Sequence, residues 1–387
     1  MSILDFKTVQ YRNGRLYFLD QTKLPNEEVM VEAKTVEDVR EAIRSLQVRG
    51  APLIGVTAAY GMVIAALRAY EEDGTVGDLV EAGNRLMSAR PTAVNLEWAV
   101  RRMLARYAGL LREEVHFYTG FDEADELPDQ KERTRRQIAE LLREAFAIHR
   151  EDAESCQTMA ENGLSLLEPG MGLLTHCNAG ALATAGIGTA LGPMHLGQRR
   201  GYGFHVYSDE TRPLLQGARL TAWELHKSGV DVTSICDNMA AAVMKQGKIQ
   251  AVLTGCDRMA ANGDGANKIG TLATAILAKE YGIPFYMFVP TSTIDMSAAT
   301  GEDIVIEERD PEEIRTMWYE HPMVPEGVKL YNPAFDVTGH EYITAIVTEK
   351  GVLYPPFDRS LAELMDVEPP EAAEEEAQTG HMTLDIL

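Results

Sequence analysis

Apolar residues recur at helical spacing through most of residues 1–167, whereas the remainder alternates between short apolar runs and helical stretches. Within the first part, the pattern predicts short strands in 6–32 around a turn at Asn13-Gly14, and a polar, acid-rich stretch at 114–131 predicts a loop or insertion. The predicted helices of this part cover residues 35–47, 51–70, 96–111 and 132–167.

Beyond residue 167, apolar and β-branched runs bounded by Gly, Asp or Asn predict strands separated by helices. The predicted strands are 172–176, 203–207, 231–235, 249–254 and 284–289. The predicted helices between them are 181–191, 213–227, 238–246 and 266–280. Such alternation is typical of parallel strands joined by crossover helices, and sheets of this kind bind ligands beyond the carboxyl ends of their strands.

Together these patterns predict an α/β protein with a small, mainly helical N-terminal domain and a Rossmann-like C-terminal domain built on a parallel sheet. The predicted boundaries are 1–131 for the first domain with its short strands, 132–164 for a connecting helix, 165–360 for the Rossmann-like catalytic domain and 361–387 for a tail. The tail holds eight acidic residues and no Lys or Arg, so it is predicted to be disordered.

The net charge of −23 argues against two kinds of partner. Nucleic acids need a basic face and anionic membranes repel negative charge, so neither is expected. No secretory signal pattern is present, the longest apolar run (52–67) is too short to span a bilayer, and no two of the four cysteines form a C-x-x-C pair. The nine histidines lack ligand spacing. These features predict a cytoplasmic protein with reduced thiols and no metal site.

Two candidate chemical groups follow predicted strands. Cys177 lies where the strand 172–176 gives way to a predicted helix, and a thiol at a helix N-terminus has a lowered pKa and can act as a base or nucleophile. The alternative is that Cys177 is only a small buried apolar residue. Asp257 lies just past the strand 249–254, where burial could raise its pKa and suit it to proton transfer. Both residues are therefore predicted to meet at one edge of the sheet.

Three cations indicate an anion nearby. Lys268 falls in the first turn of a predicted helix, a position that the helix dipole disfavours for a cation unless an anion such as phosphate binds there. Arg49 and Arg90 stand beside predicted helix starts and are candidate anion ligands, with solvated surface arginines as the alternative.

Several nucleotide and hydrolase signals are missing. The segment Gly186-Ile-Gly188-Thr-Ala-Leu-Gly192 lacks the spacing of a dinucleotide fingerprint and falls within a predicted helix, which favours small-residue packing. No G-x-x-x-x-G-K-[ST], H-E-x-x-H or G-x-S-x-G sequence occurs, so ATP hydrolysis, zinc proteolysis and α/β-hydrolase chemistry lack their usual motifs. A nicotinamide-dependent oxidoreductase is correspondingly disfavoured.

Six motifs spread over residues 48–338 resemble one family. They are VRGAPLIG (48–55), RPTAVNL (90–96), THCNAGALAT (175–184), ETRP with LLQGARLTAWEL (210–225), DRMAANGDGANKIGT (257–271) and NPAFDVT (332–338). The chain thereby resembles the isomerases related to the alpha, beta and delta subunits of initiation factor 2B, among them the S-methyl-5-thioribose-1-phosphate isomerases. Cys256 departs from the alanine common at its position and puts a second thiol beside the site.

The resemblance implies a fold and a set of roles. It implies a helical domain on a Rossmann-like domain, usually as a homodimer, with Cys177 and Asp257 catalytic and no cofactor or metal. Substrate contacts carry over to Arg49, Gly50, Ala51, Arg90, Gln216, Asn267 and Lys268. The implied reaction is an intramolecular oxidoreduction in methionine salvage, an aldose–ketose isomerisation of a sugar phosphate.

Alternatives remain open within this family. Isomerases of 5-deoxyribose 1-phosphate or ribose 1,5-bisphosphate would share both catalytic residues, and a non-catalytic regulatory subunit would let them vary. The chemistry is also open: Cys177 could carry a proton from C2 to C1, or a direct hydride shift could occur with Cys177 only stabilising charge.

Overall fold

The computed structural model describes residues 4, 6–91, 93–118 and 129–368. Near the N-terminus, three short strands form an antiparallel sheet, in the order β1-β2-β3. The turn between the first two is Asn13-Gly14, whose φ values of 52° and 76° are those that a two-residue hairpin requires. The predicted strands and turn are thus confirmed, as β1 (Val9–Arg12), β2 (Arg15–Leu19) and β3 (Met30–Ala33).

In the described part of the chain up to residue 164, five helices follow and share one apolar core. They are α1 (Val36–Arg44), α2 (Ala51–Asp73), α3 (Leu79–Met87), α4 (Val94–Tyr118) and α5 (Gln130–Leu164). The four predicted helices are confirmed, and α3 is an additional one. Among the described residues, only α2 is long and apolar enough to cross a membrane, and 72 % of its most apolar window is buried. Because α4 and α5 pack against it, its apolarity is that of a core helix.

The predicted loop at 114–131 is wrong at both ends. Helix α4 continues to Tyr118 and α5 begins at Gln130, while 119–128 lie outside the described residues. Polar composition alone does not exclude a helix, because long helices such as these carry charged residues on the faces that are turned away from the core. Arg102 contacts Glu144 at 2.6 Å and Arg106 contacts Glu140 at 2.9 Å, so charged residues line the seam between α4 and α5.

The second half contains a seven-stranded sheet in the order β14-β13-β10-β7-β4-β5-β6, in which only the edge strand β14 is antiparallel. All five predicted strands are confirmed within it. Its strands are β4 (Gly172–Thr175), β5 (His205–Asp209), β6 (Asp231–Ile235), β7 (Ala251–Gly255), β10 (Phe285–Phe288), β13 (Ala345–Thr348) and β14 (Gly351–Leu353). Apolar clusters cover both faces, so the inner strands of the sheet are buried, as expected for parallel strands.

A second sheet, in the order β11-β8-β9-β12, overturns one predicted helix. Its strands are β8 (Arg258–Ala260), β9 (Gly265–Lys268), β11 (Ile294–Asp295) and β12 (Phe335–Thr338). The helix expected over 266–280 begins only at Thr271, as α9 (Thr271–Glu280). Lys268 therefore lies at the end of a strand that is paired on both sides, and not in the first turn of a helix.

Two other helix predictions are wrong in part. Residues 181–191 contain only the 3₁₀ turn Ala181–Ala183, because the chain folds back as a bridge between Gly180 and Gly188, where a side chain would lie 2.4 Å from backbone. Residues 213–227 become regular helix only at their end. The helices of this region are α6 (Gly192–Arg199), a π-helical turn (Gly217–Thr221), α7 (Ala222–Lys227) and α8 (Ala240–Lys245).

The folded chain continues past the predicted boundary at residue 360. After the short α10 (Glu312–Arg315), the last helix within the described residues is α11 (Phe357–Met365), whose Leu361 and Ala362 are buried. The first residues assigned to the acidic tail are thus part of the fold, because this segment is amphipathic. The rest of the predicted tail, from residue 369 on, lies outside the described residues.

Candidate active site

The cleft lies where the strand order reverses. From β4 the chain moves outward through β5 to β6, and from β7 it moves the other way through β10 to β13, so β4 and β7 are neighbours at the switch point. Ligands bind at this point in doubly wound sheets. Cys177 and Asp257 follow these two strands and line one cleft. All nine predicted site residues line it: Arg49, Gly50, Ala51, Arg90, Cys177, Gln216, Asp257, Asn267 and Lys268.

Cys177 is held in an unusual backbone conformation. Its φ is +67°, a left-handed value that a buried non-glycine residue rarely adopts and that clusters at functional sites. Two threonines fix it: the Cys177 amide donates to Thr211 Oγ1 at 2.8 Å, and Thr221 Oγ1 donates to the Cys177 carbonyl at 2.6 Å. Hydrogen bonds at both its amide and its carbonyl group therefore hold the Cys177 backbone, and with it the position of the thiol.

The predicted lowering of the Cys177 pKa is wrong. No regular helix begins at this residue, and burial raises the pKa of the thiol above its usual value. The nearby charges of Arg49 and Lys268 oppose this rise because they favour the thiolate. Two cations, and not the helix dipole that was predicted, are thus the groups that stabilise the ionised sulfur.

Asp257 has the raised pKa that was predicted for it. Burial raises the pKa of the carboxyl group, and the charges of Lys268, Arg90 and Arg49 only partly oppose this. A carboxyl group of this kind can hold a proton at a pH where an exposed aspartate would not. The site therefore combines a buried acid and a buried thiol at adjacent strand ends.

Arg49 is oriented by a chain of buried polar groups. Its guanidinium donates to the Asn178 carbonyl at 2.8 Å, to the Asn178 side chain and to Gln21 Oε1 at 3.3 Å. The amide of Asn178 donates in turn to Glu224 Oε2 at 3.1 Å. Glu224 is fully buried and also accepts from the amides of Ala181 and Leu182, at 3.0 Å and 3.2 Å. One carboxylate thus holds the whole loop that follows Cys177.

The start of α2 offers an anion site. Gly50 precedes the helix with φ +90°, and a Cβ there would lie 2.5 Å from Ala183, so only glycine fits. No side chain caps this end, and Gly50, Ala51 and Pro52 line the cleft. Free amides at a helix N-terminus bind phosphate well.

Two polar atoms in the cleft wall have no hydrogen-bond partner among the described residues. They are Arg90 Nε and Gln216 Oε1, both buried. Buried polar atoms are nearly always paired, so the partner of each of these two atoms is expected to be a water, an ion or a ligand in the cleft. Also in the cleft, the Lys268 ammonium lies 4.6 Å from the centre of the Phe335 ring, and Asn267 Nδ2 donates to Thr271 Oγ1 at 3.0 Å.

Sequence reasoning missed several residues of the cleft. His176 lines it and bridges two segments, with Nδ1 3.0 Å from Asp209 Oδ2 and Nε2 2.8 Å from the Ile269 carbonyl. Arg309 also lines it, and Glu307 pairs with Arg90 at 3.0 Å. No motif marked Arg309 or Glu307, because they come from an irregular segment with an ordinary mixture of charges. His176 stands next to Cys177 in the sequence, but it was one of the nine histidines without ligand spacing and was therefore not singled out.

A doubly wound sheet with a cation-lined cleft at its switch point defines a Rossmann-like protein built to handle an anionic ligand. A model of the Initiation factor 2 subunit family matches residues 47–355. The chain therefore belongs to this family.

Relatives agree over nearly the full length. The chain is 56 % identical to a methylthioribose-1-phosphate isomerase of Symbiobacterium thermophilum, over 90 % of this chain and 92 % of that protein. It is 50 % identical to a 5-deoxyribose 1-phosphate isomerase of Petrotoga mobilis, over 95 % and 100 %. The crystal structure of a 5-methylthioribose 1-phosphate isomerase from Pyrococcus horikoshii OT3 matches with a TM-score of 0.80 at 40 % identity, over 95 % and 98 %.

Replacing Glu224 with glutamine should reduce the free energy of unfolding by about 3 kcal/mol, because an amide cannot accept all the hydrogen bonds that this buried carboxylate accepts. Urea unfolding measures the change. The matched control is Glu161→Gln, which removes an exposed partner of Arg200 and should stay within about 0.5 kcal/mol of wild type. Equal stability of both variants would contradict the role given to Glu224.

Proposed function

We propose that the protein converts S-methyl-5-thio-α-D-ribose 1-phosphate into S-methyl-5-thio-D-ribulose 1-phosphate, an aldose–ketose isomerisation of methionine salvage. The observation that carries the proposal is the placement of Cys177 and Asp257 at the two strand ends of the switch point, between walls that carry Arg49 and Lys268. The names of the Symbiobacterium and Pyrococcus proteins support this substrate.

Asp257 is proposed to open the sugar ring. In a free aldose the anomeric hydroxyl group allows opening, but in a 1-phosphate that oxygen is blocked, so an acid must protonate the ring oxygen as the C1–O bond breaks. A protonated Asp257 supplies that proton, consistent with burial raising its pKa. The resulting carboxylate then accepts the proton of the C2 hydroxyl as the ketone forms.

Cys177 is proposed to move the carbon-bound proton. As a thiolate, it removes the proton from C2 to give an enol-type intermediate and returns it to C1, so that a C2–H bond breaks and a C1–H bond forms. The charges of Arg49 and Lys268 favour the thiolate. These steps use side chains of the chain alone.

The phosphate is proposed to lie against the start of α2. Arg49, Lys268 and the amides of Gly50 and Ala51 would hold its oxygens, and Arg90, Gln216 and Asn267 would bind the remaining oxygens and hydroxyl groups. The unpartnered Arg90 Nε and Gln216 Oε1 support this assignment, since one offers a donor and the other an acceptor.

A side-by-side assay tests the substrate. Purified protein is given the 1-phosphates of methylthioribose and 5-deoxyribose and the 1,5-bisphosphate of ribose, and ketose formation is followed. We expect the highest kcat/KM with the methylthio sugar. The 5-deoxy sugar is the second candidate because of the Petrotoga relative. No turnover of any of the three would overturn the isomerase proposal in favour of a regulatory subunit.

A deuterium label at C2 distinguishes the two chemistries. Transfer by Cys177 through an exchanging thiol should release part of the label into solvent. Complete retention of deuterium at C1 in every turnover would instead indicate a direct hydride shift, in which Cys177 only stabilises charge. Mass spectrometry of the ketose product at low conversion gives the answer.

The remaining partners and the compartment are proposals of the same kind. We propose a cytoplasmic homodimer that binds neither nucleic acid nor membrane. The strongly negative net charge supports the absence of nucleic-acid and membrane binding. Relatives that are metabolic enzymes support the cytoplasmic location.

A further inference from the structure

Four cations line the cleft among the described residues: Arg49, Arg90, Lys268 and Arg309. A site that gathers four positive charges could hold two phosphate groups. Whether it does so depends on which of these charges are already neutralised by the protein. The ion pairs around the cleft divide the four into two groups.

Arg90 and Arg309 are neutralised. Arg90 Nη2 lies 3.0 Å from Glu307 Oε2, and Arg309 Nη1 lies 3.1 Å from the other oxygen of the same carboxylate. Arg309 also donates to Glu313 through Nε and Nη2, at 2.9 Å and 2.5 Å. The Glu313 side chain is only 8 % exposed, and Asn332 Nδ2 donates to it at 3.0 Å. Two arginines thus face two carboxylates, and their charges cancel.

Arg49 and Lys268 are not paired with a carboxylate in the described part of the chain, although burial lowers the pKa of Lys268. Arg49 donates to the neutral groups of Asn178 and Gln21, and Lys268 faces the Phe335 ring. No carboxylate lies within 4 Å of either in the described part of the chain, and the nearby Asp257 has a pKa raised by burial. The cleft therefore carries two cations that no carboxylate of the described chain pairs with, and two such charges suit the charge of about −2 on one phosphate group.

The neutralising segment is fixed by its backbone. The Arg309 amide donates to the Asn332 carbonyl at 2.9 Å, and the Ala334 amide donates to the Glu307 carbonyl at 2.8 Å. Residues 307–309 and 332–334 therefore pair as a short ribbon, and this ribbon leads directly into Phe335 of the cleft wall. Glu307 and Arg309 are two residues apart on extended chain, so both point to the same side.

We propose that Glu307 and Glu313 determine the substrate class of the cleft: by neutralising Arg90 and Arg309, they limit it to a sugar with a single phosphate and reject a bisphosphate. The inference rests on the proposed function and deepens it. Arg90 can still donate through Nε, but it adds no net charge for a second phosphate. The repulsion between Glu307 and a second phosphate is the element that discriminates.

Calorimetric binding tests this without turnover. In a Cys177→Ser background, which slows turnover and leaves the four cations and both glutamates in place, ribose 1-phosphate and ribose 1,5-bisphosphate are titrated as probes. We expect the monophosphate to bind at least about tenfold more tightly, and Glu307→Gln or Glu313→Gln to reduce that preference by about tenfold or to reverse it. Glu161→Gln, an exposed carboxylate that pairs with Arg200, is the control and should leave the preference unchanged.

Two results would overturn the inference. One is equally tight binding of both probes to the parent protein, and the other is an unchanged preference in both glutamine variants. If Glu307→Gln does not fold, Glu313→Gln tests the same network from its buried end. Failure of the proposed function would be recognised separately, as absence of turnover by the wild-type protein whatever the ratio of the two affinities.

Discussion

The Cys177→Ser variant should lose about 10³-fold in kcat while keeping its fold. A hydroxyl group ionises far less readily than a thiol, so serine cannot act as the base that removes the C2 proton, and general base catalysis is commonly worth this much. Substrate affinity should change little, because the cations of the cleft remain. Initial rates with the methylthio sugar phosphate measure the loss, and circular dichroism confirms the fold.

The matched control for this variant is Cys236→Ser. Cys236 is a free cysteine that is partly exposed and does not line the cleft. Its replacement should leave kcat within about twofold, as expected for surface substitutions away from a site. A Cys177→Ser enzyme that keeps a tenth or more of wild-type kcat would refute the assignment of the base.

The pH profile adds a second readout. The proposed active form needs an ionised Cys177 and a protonated Asp257, although burial raises the pKa of both groups. Activity should therefore rise with pH as the thiol ionises and fall as the acid loses its proton, and the two limbs belong to the coupled pair. Substituting Asp257 should abolish the part of the profile in which activity falls as the acid loses its proton. Measurements of kcat/KM across pH 5–10 test this.

The Asp257→Asn variant is expected to lose about 10³-fold in kcat, because an amide cannot protonate the ring oxygen. At neutral and alkaline pH, however, its free energy of unfolding should be higher than that of the wild-type protein. In the folded protein the pKa of Asp257 lies above the value of an unfolded aspartate, so its contribution to stability is complete below the unfolded pKa and is lost as pH rises through the folded pKa. Asparagine removes that loss.

Urea unfolding of the wild-type protein and of the Asp257→Asn variant at pH 5 and pH 8 measures this difference in stability. The free energy of unfolding of the variant should exceed that of wild type by more at pH 8 than at pH 5. A variant that retains a tenth of wild-type kcat, or that loses stability relative to wild type as pH rises, would contradict the role of Asp257 as a buried acid.

The sequence predicted the sheet well because its inner strands, such as β4 and β7, are buried on both faces. Runs such as 249–254 have no polar alternation, which is what burial between two layers of helices produces. Two such strand ends, followed by Cys177 and Asp257, were sufficient to place the cleft at one edge of the sheet. Arg49, Arg90 and Lys268 were candidates from their positions at or beside predicted helix starts, and the motif resemblance supplied the remaining four residues. All seven line the cleft.

The second sheet could not be predicted in the same way. Its strand β9 is Gly-Ala-Asn-Lys, which has neither β-branched residues nor alternation, and it forms only because β8 and β12 pair with it. Lys268 was therefore assigned to a helix. The predicted direction of the Cys177 pKa shift was wrong for a related reason. Burial raises this pKa, and burial depends on the packing of distant segments, which local sequence does not encode.

Helix α5 restricts how the cleft can admit its ligand. Near its start, Ile138, Leu141 and Ala145 are buried in the helical core of the first half, and near its end, Met159 and Leu164 are buried against the seven-stranded sheet. A hinge rotation of one half against the other would have to separate this 35-residue helix from one of the two apolar cores. Access to the cleft is therefore a matter of local movement at its rim, and a cut after Leu164 would leave two fragments that each expose a core.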